Sequence, residues 1–267
     1  ANERYDPNYI VVVFTDNLTG QFDWYFTKST DGGATWTTPE IAVDPDFDVM
    51  TDELNNAAIV MDDNGIVHMS FARQKTLWPR DTAPTGIYYA RYDGTSWSAP
   101  IPIYEDMSPS YLWVGCIDIT IGRNNIVHLG YESDYPGNDN GDVWYSRSED
   151  SGLTWTTPVN INAFDWYDCN MPLSLVADDL GYVYYATGGD WYSWDWTGEI
   201  YFRRSQNDGV TWDPQMVLTR RVDGDDCPKL MCDNSGGVYV VWNGYFPMSL
   251  LFKYSTDHGS NWTPYYG

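Results

Sequence analysis

The sequence contains few basic residues. Its 267 residues include 14 Lys and Arg, of which 4 are Lys, against 38 Asp and Glu, so the formal net charge is −24. A nucleic-acid-binding surface needs basic side chains that neutralise phosphates, and this composition excludes one. The sequence also lacks any apolar run near the roughly 18 residues that a membrane span requires. We therefore expect no nucleic-acid partner and no membrane span.

Residues that favour helix surfaces are also scarce. Of the 38 acidic residues, 31 are Asp and 7 are Glu. Asp favours turns and caps, whereas Glu and Lys favour helix surfaces. The 23 Gly, 15 Pro, 22 Tyr and 14 Trp add residues typical of turns and strands. The composition predicts an all-β protein with almost no helix.

Cysteine and histidine are too few and too scattered for a zinc site. The four cysteines form no CxxC pair, and the three histidines are far apart. We expect no cofactor, with Ca²⁺ as the open alternative. Its oxygen ligands would come from 134–142, where the spacing differs from that of an EF-hand. The candidate ligands are Asp134, Asp139 and Asp142.

One eight-residue motif, SxDxGxTW, recurs along the chain. Each copy follows a run of aromatic residues typical of a strand, so we place each on the turn of a hairpin. Nearly complete copies occupy 29–36, 148–155, 205–212 and 255–262, and a weaker copy occupies 90–97. The third and last residues of the nearly complete copies are Asp31, Trp36, Asp150, Trp155, Asn207, Trp212, Asp257 and Trp262.

A second signature recurs once in each unit, as the first does. It consists of a DxxG-type turn followed by Val and an apolar or aromatic run. Each unit therefore contains a strand, a DxxG turn, a strand, a long loop, a strand, an SxDxGxTW turn and a strand. The second signature lies near 6–14, 62–71, 122–131, 178–185 and 233–242. The five units lie near 1–43, 57–101, 116–159, 172–218 and 227–266.

SxDxGxTW at this spacing is similar to the Asp-box, or BNR, repeat of β-propellers in the sialidase-like superfamily. The resemblance covers essentially the whole chain and implies a single Asp-box β-propeller domain over 1–267, five-bladed, with four antiparallel strands per blade. A six-bladed parent is the alternative if the chain is a fragment. The motif's role in the family is structural: the Asp accepts backbone N–H bonds, the Gly takes a positive φ, and the Trp packs between blades.

The long loops form the expected functional face. In such a propeller the two short turns of each unit lie on one face, and the long loops lie on the other, where function usually resides. These loops combine aromatic rings, on which sugar C–H faces stack, with carboxylates that bind hydroxyls. We expect glycan contact there; the alternative is that the rings cover the blade tops or meet another protein. The candidate ligand-binding residues are Trp78, Tyr111, Trp113, Trp166, Tyr167, Trp191, Trp194, Trp196, Arg73, Arg220 and Arg221.

The catalytic residues of the family are not recognisable in this sequence. The resemblance implies three arginines that clamp the substrate carboxylate, a Tyr nucleophile paired with Glu, an acid/base Asp, and an RIP-like motif near the start. This sequence has Glu3-Arg4-Tyr5-Asp6 there, and its net charge repels an anionic sugar. We expect a non-catalytic module that binds glycan or protein. The alternatives are a glycoside hydrolase or lyase using loop carboxylates, and a structural subunit of an extracellular assembly.

One carboxylate stands out on the inner strands. Aligning the units on the Val of the second signature places Asp118 and Lys229 at one level. Asp118 alternates with isoleucines, so its side chain should point into the central channel, where Lys229 can face it in an ion pair. As a catalytic acid, Asp118 would need a second carboxylate about 5–10 Å away, and Glu132 and Glu53 are the candidates.

The same alignment places the cysteines. Cys116 and Cys227 begin equivalent inner strands on the long-loop face, and Cys169 lies in the connection before the fourth unit. We expect a disulfide from Cys169 to Cys116 or to Cys227. Cys232 lies at the opposite end of its strand and is expected to be a buried free thiol.

The histidines follow the repeat as well. His68 and His128 occupy identical positions in the second signature. A position set by the repeat indicates a structural role rather than metal binding.

We expect a protein that is secreted or held at the cell surface. Secretion would permit the disulfide, and Ala1 is compatible with a residue left after removal of a signal peptide. The expected partner is a glycan or an extracellular protein. Self-assembly and a larger parent chain are the alternatives.

Overall fold

The computed structural model describes residues 5–16, 23–43, 57–73, 85–106, 114–133, 142–162, 173–189, 198–220, 224–244 and 248–264. Within these ranges, all regular structure is β-strand apart from one 3-10 turn at Arg123–Asn125. The all-β prediction is confirmed. In the same ranges, no helix is long and apolar enough to cross a membrane.

The strands form five antiparallel sheets in which neighbours in the sheet are also neighbours in the chain. We call these sheets blades one to five. Blade one contains β1 (Ile10–Asp16), β2 (Asp23–Ser29) and β3 (Glu40–Ile41). Blade two contains β4 (Ala57–Met61), β5 (Val67–Arg73), β6 (Thr85–Tyr92) and β7 (Ile101–Asp106).

The other three blades repeat this order. Blade three contains β8 (Val114–Ile121), β9 (Val127–Ser133), β10 (Asp142–Ser148) and β11 (Val159–Asn160). Blade four contains β12 (Ser174–Ala177), β13 (Val183–Gly189), β14 (Glu199–Ser205) and β15 (Met216–Val217). Blade five contains β16 (Asp225–Cys232), β17 (Val238–Gly244) and β18 (Ser249–Ser255). The strand predicted before the second signature of the first unit, at residues 1–5, lies outside the described residues except for Tyr5.

Asp carboxylates close the turns between the first two strands of blades two, four and five. In blade two, Asp62 Oδ1 accepts the N–H groups of Asn64 and Ile66, both at 2.9 Å. Asp178 holds the turn of blade four with two bonds of the same length. Blade three has Gly122 in place of this Asp and forms the 3-10 turn instead, in which two asparagines take positive φ.

The SxDxGxTW turns share one hydrogen-bond pattern. In blade one, Ser29 Oγ accepts the Gly33 N–H at 2.9 Å, and Asp31 Oδ1 accepts the Thr35 N–H at 2.8 Å. The turns of blades three, four and five repeat both bonds at 2.8–2.9 Å. The hydroxyl and backbone bonds from Thr35 lower the pKa of Asp31 to about 2. The ionised Asp31 carboxylate therefore has a structural role, which is to hold the turn through these hydrogen bonds.

Successive blades meet through an aromatic pair. A ring on β2 of blade one, or on the equivalent third strand of blades two to four, packs edge-on against the turn tryptophan of the next blade. The ring centroids lie 4.9–5.6 Å apart, and the ring planes are inclined by 64–79°. The four pairs are Phe26–Trp97, Tyr89–Trp155, Tyr145–Trp212 and Phe202–Trp262.

A basic residue two positions after each of these rings also crosses to the next blade. It donates to a backbone carbonyl in the next turn, at 2.5–3.4 Å. The donor–acceptor pairs are Lys28–Gly94, Arg91–Ser151, Arg147–Asp208 and Arg204–His258. All four acceptor residues have positive φ, which turns the carbonyl towards the preceding blade. The scarce basic residues are thus used to join blades.

Buried apolar side chains fill the spaces between the blades. Separate clusters join blades one and two, two and three, three and four, and four and five. Buried histidines support two of the junctions: His68 Nδ1 lies 2.6 Å from the Tyr89 hydroxyl, and His128 Nδ1 lies 2.6 Å from the Tyr145 hydroxyl. Both histidines therefore have the structural role that their shared repeat position predicted.

The turn glycines make room for the junction rings. The Tyr145 hydroxyl lies 1.8 Å from where a Cβ on Gly209 would be, and the Tyr89 hydroxyl lies as close to that position on Gly152. Gly209 also has a φ of +79°, which L residues rarely adopt. Glycine is required here for the close approach as well as for the turn.

Gly209→Ala tests this close approach, with Gly94→Ala as the matched control. Both glycines have positive φ, but a Cβ on Gly94 meets no atom within 4 Å. Strain at positive φ costs about 1–2 kcal/mol, and overpacking adds about 1–3 kcal/mol. In urea unfolding we expect Gly209→Ala to lose roughly 2–5 kcal/mol and Gly94→Ala only about 1–2 kcal/mol. Equal losses would contradict the role of the ring.

His128 makes the stability depend on pH. Burial, helped by the charge of Arg147, lowers its pKa to about 3. Its pKa in the unfolded chain is about 6.5, so the unfolded state takes up the proton first as the pH falls. Stability decreases below about pH 6.5, by up to about 1.4 kcal/mol per pH unit. We expect the unfolding free energy of His128→Asn to fall less steeply than that of wild type; parallel profiles would rule this out.

Candidate functional site

The inner strands of blades three to five are linked at one level. β8, β12 and β16 carry Asp118, Ser174 and Lys229 at equivalent positions. Asp118 Oδ2 accepts the N–H of Leu175 at 2.9 Å, and Ser174 Oγ accepts the N–H of Leu230 at 3.0 Å. Each side chain thus accepts a hydrogen bond from the next blade. The donor is the residue that follows the equivalent position there.

Backbone hydrogen bonds take the place of the ion pair expected between Asp118 and Lys229. Asp118 Oδ1 accepts the N–H of Ile119 at 3.0 Å, so both carboxylate oxygens have backbone donors. Burial raises the pKa of Asp118, while the Leu175 bond and the charge of Lys229 oppose the rise. Because neighbouring inner strands lie side by side, the carboxylate meets the next backbone before it reaches across the channel. Lys229 is exposed and acts through its charge.

Glu132 lies beside Asp118 on the sheet of blade three. Asp118 is opposite Gly130 on β9, so Glu132 is its diagonal neighbour on the same face. The Cα atoms of such neighbours are about 7–8 Å apart. Glu132 is buried, and its carboxylate accepts a hydrogen bond from the thiol of Cys116. Glu53, the other candidate, lies outside the described residues.

Several arginines are used in contacts between blades. Besides the three that donate to turn carbonyls, Arg203 donates to the Ile161 carbonyl of the preceding blade at 2.7 Å. Arg123 pairs with Asp208 of the following blade. These guanidinium groups are held by the fold and do not converge on the long-loop end of the inner strands.

Two of the predicted ligand-binding arginines are described. Arg73 ends β5 and is buried, whereas Arg220 follows β15 and is exposed. They belong to blades two and four, and Arg221 lies outside the described residues. The described part of the chain therefore does not assemble a clamp of three arginines.

A tyrosine–glutamate pair in blade two was not predicted. The Tyr88 hydroxyl on β6 donates to Glu105 Oε1 on β7 at 2.7 Å. Burial and the bond to Glu105 raise the pKa of Tyr88, and the charge of Arg73 opposes this. The raised pKa keeps the proton on the phenol at neutral pH, and the hydrogen bond joins two strands of blade two. Gly86 lies opposite Glu105, and a register shift follows between Ile87 and Tyr88. Repeat alignment alone does not reveal this pair.

Of the predicted Ca²⁺ ligands, Asp142 is described. Burial raises its pKa, and a hydrogen bond with Asn160 opposes the rise. Across the described ranges, no group of three or more His, Cys, Asp and Glu could hold a metal ion. Asp134 and Asp139 lie outside these ranges, so Ca²⁺ binding stays a prediction.

The described cysteines, Cys116, Cys227 and Cys232, form no disulfide with one another. Burial raises the pKa of each thiol. Cys232 is partly buried, and its thiol donates to the Ala177 carbonyl at 3.4 Å. Cys169 lies outside the described residues, so its disulfide with Cys116 or Cys227 stays a prediction.

The aromatic residues predicted to bind glycan lie outside the described residues. Their role therefore stays a prediction. They are Trp78, Tyr111, Trp113, Trp166, Tyr167, Trp191, Trp194 and Trp196.

No family model and no curated protein matches the sequence. Solved structures do match. A Hadza microbial sialidase matches with a TM-score of 0.60 and 16% sequence identity, and the match covers 98% of this chain and 56% of the sialidase. An ulvan lyase of a polysaccharide lyase family matches with a TM-score of 0.55 and 13% identity, covering 97% of this chain and 70% of the lyase. Penicillium chrysogenum α-L-arabinanase matches with a TM-score of 0.52 and 14% identity, covering 78% of this chain and 65% of the arabinanase.

Identities this low show the fold alone. The chain has a sialidase-like β-propeller fold, which it shares with proteins that act on glycans, and its five sheets are consistent with five blades. It spans little more than half the length of the matching sialidase.

Asp118→Ala should weaken the link between blades three and four. It leaves the Leu175 N–H without its acceptor, which costs about 1–3 kcal/mol for a buried backbone group. Asp118→Asn keeps one oxygen as acceptor, so we expect a smaller loss. Urea unfolding of the two variants measures the difference. An Asp118→Ala protein as stable as wild type would show that the link contributes nothing.

Proposed function

We propose that the chain is a non-catalytic, extracellular β-propeller that binds a neutral glycan on its long-loop face. One observation carries the proposal: near the long-loop ends of the first two strands of blades two, three and five, the described carboxylates outnumber the bases. The carboxylates are Asp118, Glu132, Asp225 and Asp226, and the bases are Arg73 and Lys229. Carboxylate oxygens accept hydrogen bonds from sugar hydroxyls, whereas sugar acids require cations.

The fixed roles of the basic residues support a neutral ligand. Lys28, Arg91, Arg147 and Arg204 are held in the blade junctions. The net charge of −24 opposes the approach of sialylated, sulfated or uronic sugars. The aromatic residues of the long loops would supply the stacking surface.

The structural matches support a glycan as the ligand class. They are named as a sialidase, a polysaccharide lyase and an arabinanase, three proteins of different specificity. A shared fold does not carry a shared reaction, so the site residues must decide the chemistry.

A glycoside hydrolase is the second candidate. The observation that favours it is the pair of neighbouring carboxylates, Asp118 and Glu132, of which Asp118 has a raised pKa. We favour binding because both Asp118 oxygens accept backbone N–H groups, and the bond from Leu175 joins blade three to blade four. A general acid needs to offer its proton to the glycosidic oxygen.

A glycan array tests the proposal with three proteins. We expect wild type to bind neutral glycans, and the triple variant Trp191→Ala, Trp194→Ala, Trp196→Ala to lose at least about tenfold in affinity. Trp36→Ala is the control, since Trp36 is an exposed tryptophan on the opposite, turn face. Binding only of anionic glycans, or equal binding by the triple variant, contradicts the proposal.

Any glycan that binds is then incubated with the protein, and new reducing ends are counted. We expect none. Release of reducing ends that Glu132→Gln abolishes would support the hydrolase instead.

A further inference from the structure

Lys229 is a basic side chain that the described part of the fold does not use. It lies on β16 and is exposed, and within the described ranges no group forms a hydrogen bond or an ion pair with its ammonium. The other two lysines in these ranges are both donors. Lys28 donates to the Tyr92 hydroxyl at 2.7 Å. Lys253 donates to the Leu218 carbonyl. Lys229 therefore keeps its three N–H donors for water or a ligand.

The repeat shows that the position of Lys229 does not call for a lysine. Asp118 and Ser174 stand at the same level on β8 and β12, and each accepts an N–H from the next blade. Ala58 and Lys229 have no side-chain acceptor, so neither can form such a link. Ala58 packs against the apolar cluster between blades two and three, whereas Lys229 is exposed. The charge at this level is thus particular to blade five among blades two to five.

The charge of Lys229 acts on groups of two inner strands. Burial raises the pKa of the Cys116 thiol on β8 and of the Cys227 thiol on β16, and the charge of Lys229 opposes both rises. That charge acts in the same way on Asp118. The ammonium therefore lies within electrostatic reach of blades three and five, near the end of the strands where the long loops begin.

The charged groups near this end differ in access. Asp118 accepts backbone N–H groups with both of its oxygens. Four other groups are buried: Arg73, Glu132, Asp225 and Asp226. Among the charged side chains described near this end of the first two strands, Lys229 is therefore the one that a ligand can reach.

The chemistry of an ammonium among carboxylates selects an uncharged oxygen. An ammonium donates hydrogen bonds and accepts none, so its partner must be an acceptor. Sugar hydroxyls, ring oxygens and acetamido carbonyls are neutral acceptors, and a charged donor bonds to them more strongly than a neutral one does. The carboxylates near Lys229 outnumber the bases, so an acidic sugar meets net repulsion and a neutral sugar does not.

We infer that Lys229 is the specificity-determining donor of the glycan site and that its ammonium binds a neutral oxygen of the sugar. Because this role requires a glycan on the long-loop face, it rests on the function proposed above. Lys229 supplies the contact, and the carboxylates supply the negative field that keeps acidic sugars away.

An array printed with neutral and sialylated glycans, read over a dilution series of each protein, tests this role. We expect Lys229→Met to bind neutral glycans about tenfold or more weakly, since it loses a charged hydrogen-bond donor. Lys229→Arg keeps the charge and the N–H donors, so we expect it to retain most of the affinity. Leu153→Glu is the matched control: it makes the net charge more negative by the same one unit, on a turn of blade three where Leu153 is 60% exposed.

Acetylation of lysine amines, read by mass spectrometry, reports contact directly. In the free protein we expect Lys229 to react faster than Lys28 and Lys253, whose amines are bonded. The neutral glycan that wild type binds most tightly on the array, added at about ten times its dissociation constant, should slow acetylation of Lys229 about tenfold. The rates at Lys28 and Lys253 should stay unchanged, which controls for a change in the reagent.

The outcomes separate this role from the function on which it rests. If wild type binds a neutral glycan and Lys229→Met binds it equally well, or the glycan leaves the acetylation rate of Lys229 unchanged, Lys229 is not the donor and the proposed function stands. If wild type binds only sialylated glycans, or no glycan, the proposed function is wrong and the role of Lys229 fails with it.

Discussion

The contact between a strand ring and the turn tryptophan of the next blade determines how neighbouring blades are arranged. At three of the four junctions the ring also lies against the glycine of that turn, as Tyr145 lies against Gly209. The N–H of this glycine donates to the serine of its own turn, Ser205. The hydrogen bonds within one blade therefore prepare the surface that its neighbour packs against.

This arrangement also explains the electrostatics. The chain has 14 basic residues, and four of them, Lys28, Arg91, Arg147 and Arg204, donate across junctions. Others, such as Arg123 and Arg203, serve neighbouring contacts. These six side chains therefore help to hold the blades together.

Repetition decided what could be predicted from the sequence. The two signatures predicted the strand order and the position of each turn, because each is a local pattern that recurs. The level of Asp118 followed from the same alignment, but its partner was predicted wrongly, since alignment does not show that the next backbone is nearer than the opposite side chain. The basic junction residues were missed because alternation in a strand does not distinguish a residue facing water from one facing a neighbouring blade. The long loops do not repeat, and their residues had to be argued from composition alone.

The acceptors at the blade junctions are main-chain carbonyls. The residues that supply them are Gly94, Ser151, Asp208 and His258, which have nothing in common except a positive φ. The donor thus contacts the main chain and not the side chain, so the residue type at these positions can change without weakening the contact between blades. A scaffold held in this way can keep its architecture while nearly every residue is replaced, as its 13–16% identity to proteins of the same fold illustrates.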